Sequence, residues 1–159
     1  MSLRLLNSVC KVLADEYPDI PVKISNISQN SIEPYFFVTL NTSGNLVKNR
    51  HVYQNNSNFQ IDYYGEKNEE GQVLVETLYL KQEELTALFL LRLAVPVIAA
   101  EGVTEKQRYA KVESFTSDIR HDMGAVYSKL VLNFTDDIPQ KEDYNLVETV
   151  EIDAQASTK

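Results

Sequence analysis

Two apolar-patterned runs between Ile32 and Tyr64 constrain this 159-residue chain more than any other feature. The first, Glu33-Pro34-Tyr35-Phe36-Phe37-Val38-Thr39-Leu40, is apolar on both faces, as expected of a central strand. The second, Asn58-Phe59-Gln60-Ile61-Asp62-Tyr63-Tyr64, puts Phe59, Ile61 and Tyr63 on one face and Asn58, Gln60 and Asp62 on the other. That period of two marks a strand with one buried and one wet face. Between the runs, Asn41 to Asn56 carries Gly44, five asparagines and the basic trio Lys48, Arg50 and His51. This stretch is expected to be a long polar loop, and loops of that length commonly carry function.

The flanking patterns extend the picture. Leu6, Val9, Cys10 and Leu13, with Leu3 and Tyr17 beside them, form a helical stripe over Leu3 to Glu16, ended by Pro18. Ile20 to Ile27 alternates weakly as a short first strand, and Ser28 to Ser31 is a turn. Gly65 to Gly71 is an acidic turn. A second helix is expected over Val73 to Val95, broken by Pro96, with Leu85, Leu88, Phe89 and Arg92 on a shared face. Its first residues, Val73-Leu74-Val75, would also suit a strand. The last third predicts a hairpin. Arg108 to Ser117 sets Tyr109, Lys111, Glu113 and Phe115 against Ala110, Val112 and Ser114. After a turn at Asp118 to Gly124, Ala125 to Thr135 turns Val126, Leu130, Leu132 and Phe134 to the core, with Lys129 and Asn133 opposite.

The expected order is therefore α-β-β-β-α-β-β. It describes an α+β two-layer sandwich, a mainly antiparallel four- to five-stranded sheet with two helices on one face. Residues 1–138 form the domain, and 139–159 an acidic C-terminal tail that is extended or mobile unless bound. A single domain of this length buries roughly 70% of the surface of its unfolded chain.

Charge and chemistry exclude several classes. The net charge is −8, and −5 of it lies between Asp136 and Lys159, where seven acids face two lysines. No basic stripe is visible, so sequence-specific nucleic-acid binding is not expected. The longest apolar run, Phe89 to Ala100, is interrupted by Arg92 and Pro96 and falls short of the roughly 20 residues of a membrane span. It is expected to be a helix end leading into a buried connection. The N-terminus lacks the apolar core of a signal peptide, which points to folding in a reducing cytoplasm. Cys10, the single cysteine, permits no disulfide within the chain and is expected to be a buried helix residue. His51 and His121 are 70 residues apart with no metal-ligand spacing. The run Asp118-Ile119-Arg120-His121-Asp122 is expected to be a solvated turn. No catalytic constellation, phosphate loop or cofactor motif is present, so neither an enzyme nor a cofactor is expected.

The amphipathic N-terminal helix, "EPYFFVTL", "NRHVYQ", "FQIDYYGEKNE" and the closing "AVYSKLVLNF" together resemble the tail terminator (tail-completion) proteins of phages of Gram-positive bacteria. The likeness covers about residues 3–135, the body of the domain. It implies a ring, typically of six subunits, that caps the head-proximal end of the tail tube and ends its polymerisation. Its implied partners are further copies of the chain, the tail tube protein, and the neck or connector, or a sheath protein in contractile systems. Its implied location is the host cytoplasm during assembly, then the virion tail or a tail-like particle. The alternative is a non-virion adaptor or chaperone of tail proteins. Candidate assembly contacts are Lys48, Arg50, His51, Arg120 and His121. Because none of Cys10, His51 and His121 belongs to a reactive cluster, single Ala replacements should leave assembly intact. Complementation that fails for a His121→Ala protein of unchanged thermal midpoint would contradict this.

Overall fold

The alternation at Phe59 to Tyr63 becomes the centre of a six-stranded sheet. A computed structural model describes residues 2–24, 32–99 and 106–137 of the chain. The elements run α1 (Ser2–Glu16), β1 (Val22–Lys23), β2 (Tyr35–Val47), β3 (Val52–Tyr64), α2 (Val75–Thr86), β4 (Ala94–Val97), β5 (Arg108–Arg120) and β6 (Ala125–Asp137). Strand order is β1-β2-β3-β6-β5-β4. Among the described residues only the β1–β2 pair is parallel, so the fold is α+β with a mixed sheet that curls into a half-barrel. The turn expected at 28–31, the end of the first strand and the acidic tail at 139–159 lie outside the described residues.

Four differences from the sequence-based expectation matter. The stretch from Asn41 to Asn56 is not a loop. Strands β2 and β3 stay paired out to Val47 and Tyr53, and only residues 48–51 turn. The second helix stops well before Val95. It passes into a single π-helical turn at Ala87–Leu91, and Leu93 then takes a left-handed conformation (φ 60°) to reverse the chain. Ala94 to Val97, expected as a buried connection, is the edge strand β4, where Pro96 is tolerated because an edge needs no outward N–H. Finally, a bulge between Val112 and Ser114 of β5 advances the alternation by one residue. Phe115 thereby joins Ala110 and Val112 on the core face, where simple alternation had set it opposite them.

The core faces are otherwise those the spacing implies. Phe36, Val38, Phe59, Ile61, Leu130 and Leu132 are fully buried, and Leu5, Val9 and Leu13 of α1 and Leu78 and Leu85 of α2 join them in a single cluster. Leu3 and Cys10, part of the expected helical stripe, are exposed and half-buried respectively. Phe36 is held between Tyr17 and Tyr63, with ring centroids 5.2 Å away on each side. Truncating Phe36 or Phe59 to Ala should lower unfolding free energy by about 3–5 kcal/mol, read from denaturant midpoints. Unchanged midpoints for both would contradict the assigned faces.

Candidate assembly surface

The sheet has two ends, and the register separates the five candidate contacts between them. Val52 of β3 sits opposite Asp137, and Tyr64, at the other end of the same ladder, sits opposite Ala125. Lys48, Arg50 and His51 therefore occupy one end, and Arg120 and His121 the other, roughly 40 Å away at about 3.3 Å per residue. They do not form one site.

The first end is a tight, hydrogen-bonded tip. The Asn49 side-chain oxygen accepts from the backbone N–H of His51 at 2.8 Å and of Val52 at 2.9 Å, and the Lys48 N–H donates to the Val52 carbonyl at 3.0 Å. Asparagine favours such a turn because its short amide mimics a backbone acceptor. The side chains of Lys48, Arg50 and His51 are exposed on it. Behind the tip, the helix-bearing face is polar. Asn55 and Ser57 are fully buried, yet Asn55 Nδ2 donates to Asn45 Oδ1 at 2.7 Å and to Ser43 Oγ at 2.9 Å, while Ser57 Oγ donates to Asn55 Oδ1 at 2.6 Å. Ser2 Oγ at the start of α1 closes the cluster against Ser43 Oγ at 2.8 Å. Satisfying these groups is what allows an asparagine-rich segment to be strand rather than loop. On the neighbouring strand Asp136 is shared by Arg108, in an ion pair, and by the Tyr53 hydroxyl.

The other end is aromatic. On the face away from the helices, Tyr35 stacks on Tyr64 at 4.8 Å, and Tyr64 meets Tyr127 edge-on at 6.4 Å. The Arg120 guanidinium lies 5.6 Å from the Tyr127 ring centre and 3.4 Å from Asp118, and the His121 ring is 6.2 Å from that of Tyr79. A hollow of about 570 Å³ opens beside them, lined by Asn41, Gln60, Thr116, Asp118, Arg120 and Lys129 among others.

Asp62 departs from expectation. It lies on the face read as wet, but it is only 5% exposed, between Phe37 and Tyr127 in the register. Gln60 Nε2 donates to both of its oxygens, at 3.0 and 2.8 Å. Burial outweighs those bonds and pushes its carboxyl up to about 6. No local signal in the sequence marks this, because the covering rings of Tyr35 and Tyr127 come from the two neighbouring strands. Cys10 behaves as a packing residue, its thiol pushed up to about 11 by burial. Among the described residues no three His, Cys, Asp or Glu side chains converge on a point that could hold a metal ion, and no helix is long and apolar enough to cross a membrane.

A family model described as phage tail terminator protein matches residues 4–144. No curated protein matches the chain.

The Asp62 environment makes a pH prediction. Its folded-state value lies above that of the unfolded chain, so the folded state holds the proton more tightly. The stability cost of ionisation is absent below about pH 4 and complete above about pH 6. Asp62→Asn should therefore gain on the wild type as pH rises from 4 to 7, by roughly 1–3 kcal/mol in unfolding free energy. A difference that is flat over this range would contradict it.

Proposed function

This chain belongs to the phage tail terminator protein family, and we propose that it acts as a non-enzymatic structural part, a six-subunit ring on the head-proximal end of the tail tube. The ring stops tube polymerisation and offers the surface on which the neck or connector docks. The observation that carries this reading is the family match, which spans the whole described sheet, α2 and all of α1 but its first two residues, rather than one motif.

The subunit's geometry supports it. A terminator has different neighbours above and below, and the two ends of this sheet differ in chemistry. One is a basic tip backed by amides, and the other a stacked tyrosine surface with Arg120 and His121 at its rim. The chain's overall negative charge suits a ring around a DNA conduit, because it disfavours binding to the phosphate backbone.

The test is Lys48→Glu with Arg50→Glu, introduced as the only copy in a terminator-deficient phage or particle. Exposed turn substitutions change stability by less than about 0.5 kcal/mol, so the protein should stay folded. Tails should become overlong or fail to join heads, since opposed like charges at an interface cost several kcal/mol. Uniform tails of normal length containing the double mutant would remove the tip from the assembly contact. A wild-type protein that assists assembly yet is absent from purified tails would favour the chaperone alternative.

A further inference from the structure

Two stretches of this sheet lack a strand partner on their outer side among the described residues, and they lie on opposite sides of it. On one side β1 pairs only with Phe36 and Phe37, so beyond them the outer edge of β2 has no strand partner among the described residues. From Asn41 to Val47 this edge is exposed at every residue and carries no charge and no proline. Edge strands are normally blunted by such residues, as β4 is by its shortness and Pro96, so a long bare edge is a template for another strand. On the other side β4 covers β5 only from Arg108 to Lys111, and the bulge at Glu113 ends that cover. Among the described residues Ser114 to Arg120 has no strand partner on its outer side, and it is the second open edge.

The hydrogen-bond parity of both edges can be fixed. The Phe36 N–H points outward, to the Pro21 carbonyl. Alternation along the antiparallel ladder, carried through the Leu40/Thr42 bulge, makes Ser43, Asn45 and Val47 the outward-bonding residues of β2. On β5 the Val112 N–H points outward to the Leu93 carbonyl, and the Ser117 carbonyl accepts from Gln82 Nε2 at 3.2 Å. Phe115, Ser117 and Ile119 are thus the outward set. Both sets have their side chains on the helix-bearing face. This follows from the even number of antiparallel strands between the edges, β2 to β5 inclusive. A second copy can therefore join without turning its sheet over.

We propose that the open edge of β2 in one copy pairs with the open edge of β5 in the next, antiparallel, with Ser43, Asn45 and Val47 opposite Ile119, Ser117 and Phe115. The inference rests on the ring reading above and supplies its subunit contact. Two different edges meet head to tail, the heterologous contact a closed ring needs. In this register Asn49 falls opposite Glu113, which places the basic tip residues Lys48 and Arg50 beside the carboxylate of the next copy. It also offsets the joined strands by six residues, since Asn45 is level with Asn55 and Ser117 with Ser128 and hence Ile61. Such a stagger is what a tilted, closed sheet requires. Gln82 then serves to satisfy Ser117 in the free subunit.

The test uses Leu46→Cys with Thr116→Cys in a Cys10→Ala background. The proposed register makes these two exposed residues a directly opposed, non-hydrogen-bonded pair across copies, with Cα atoms about 4.5 Å apart, within disulfide reach. Inside one chain they are three strand spacings apart, more than about 14 Å, so no internal bridge can form. Tails purified from cells carrying this variant as the sole copy should yield, on oxidation, a covalent multimer that closes at a fixed size, and neither single-cysteine variant should. Val47→Pro removes one outward N–H while leaving the β3 side of the ladder intact, and should reduce incorporation into tails roughly tenfold. Double-cysteine protein present in tails but not cross-linked, or Val47→Pro incorporated like the wild type, would overturn the edge pairing and leave the ring reading standing. Wild-type protein absent from tails would overturn both.

Discussion

Everything in this molecule depends on the β3–β6 ladder, an uninterrupted antiparallel pairing from Val52↔Asp137 to Tyr64↔Ala125. It buries Phe59 and Ile61 beside Leu130 and Leu132 on one face, and its register runs without a bulge. With β2 and β5 added at equal length, the sheet becomes a plate thirteen residues tall whose one face receives both helices. The basic tip, the tyrosine surface and the two open edges are all positioned by that plate.

The ladder also explains how a polar sequence becomes ordered. Along its distal half the residues on the helix-bearing face are Ser43 and Asn45 of β2, which are exposed, and Asn55 and Ser57 of β3, which are buried and would be costly to bury unpaired. Their mutual hydrogen bonds offset that cost, and the start of α1 seals them. On the opposite face near the other end the logic reverses. Tyrosines from three strands cover Asp62, so a residue that alternation assigns to water is buried with a raised carboxyl. The same plate is thus polar where apolar residues are the norm and apolar where water is the norm. Both inversions lie close to the surfaces available for assembly.

Parts of the fold were legible locally. Leu6, Val9 and Leu13 of α1, the faces of Phe59, Ile61 and Tyr63, and the faces of Val126 through Phe134 follow from spacing alone, because a side chain's direction is set by its own backbone period. The candidate site was legible only in part. Lys48, Arg50 and His51 stand out as a basic group in an acidic chain, but their distance from Arg120 and His121 comes from the register. The β4 strand was hidden within an apolar run continuous with a helix, and nothing local marks where the π-helical turn gives way to Leu93.

The sequence by itself determined that this is an α+β chain with a largely antiparallel sheet, most of the residues on the core faces of its central strands, and which family it resembles. Those properties depend on the spacing of neighbouring residues. Only the tertiary structure decided that Asn41 to Asn56 is a strand hairpin, that Glu113 bulges and carries Phe115 to the core, that Asp62 is buried, and that two unblunted edges face opposite ways. These outcomes depend on what lies across the sheet, where hydrogen-bond partners and covering side chains come from residues distant in the chain, and spacing along one strand carries no record of them.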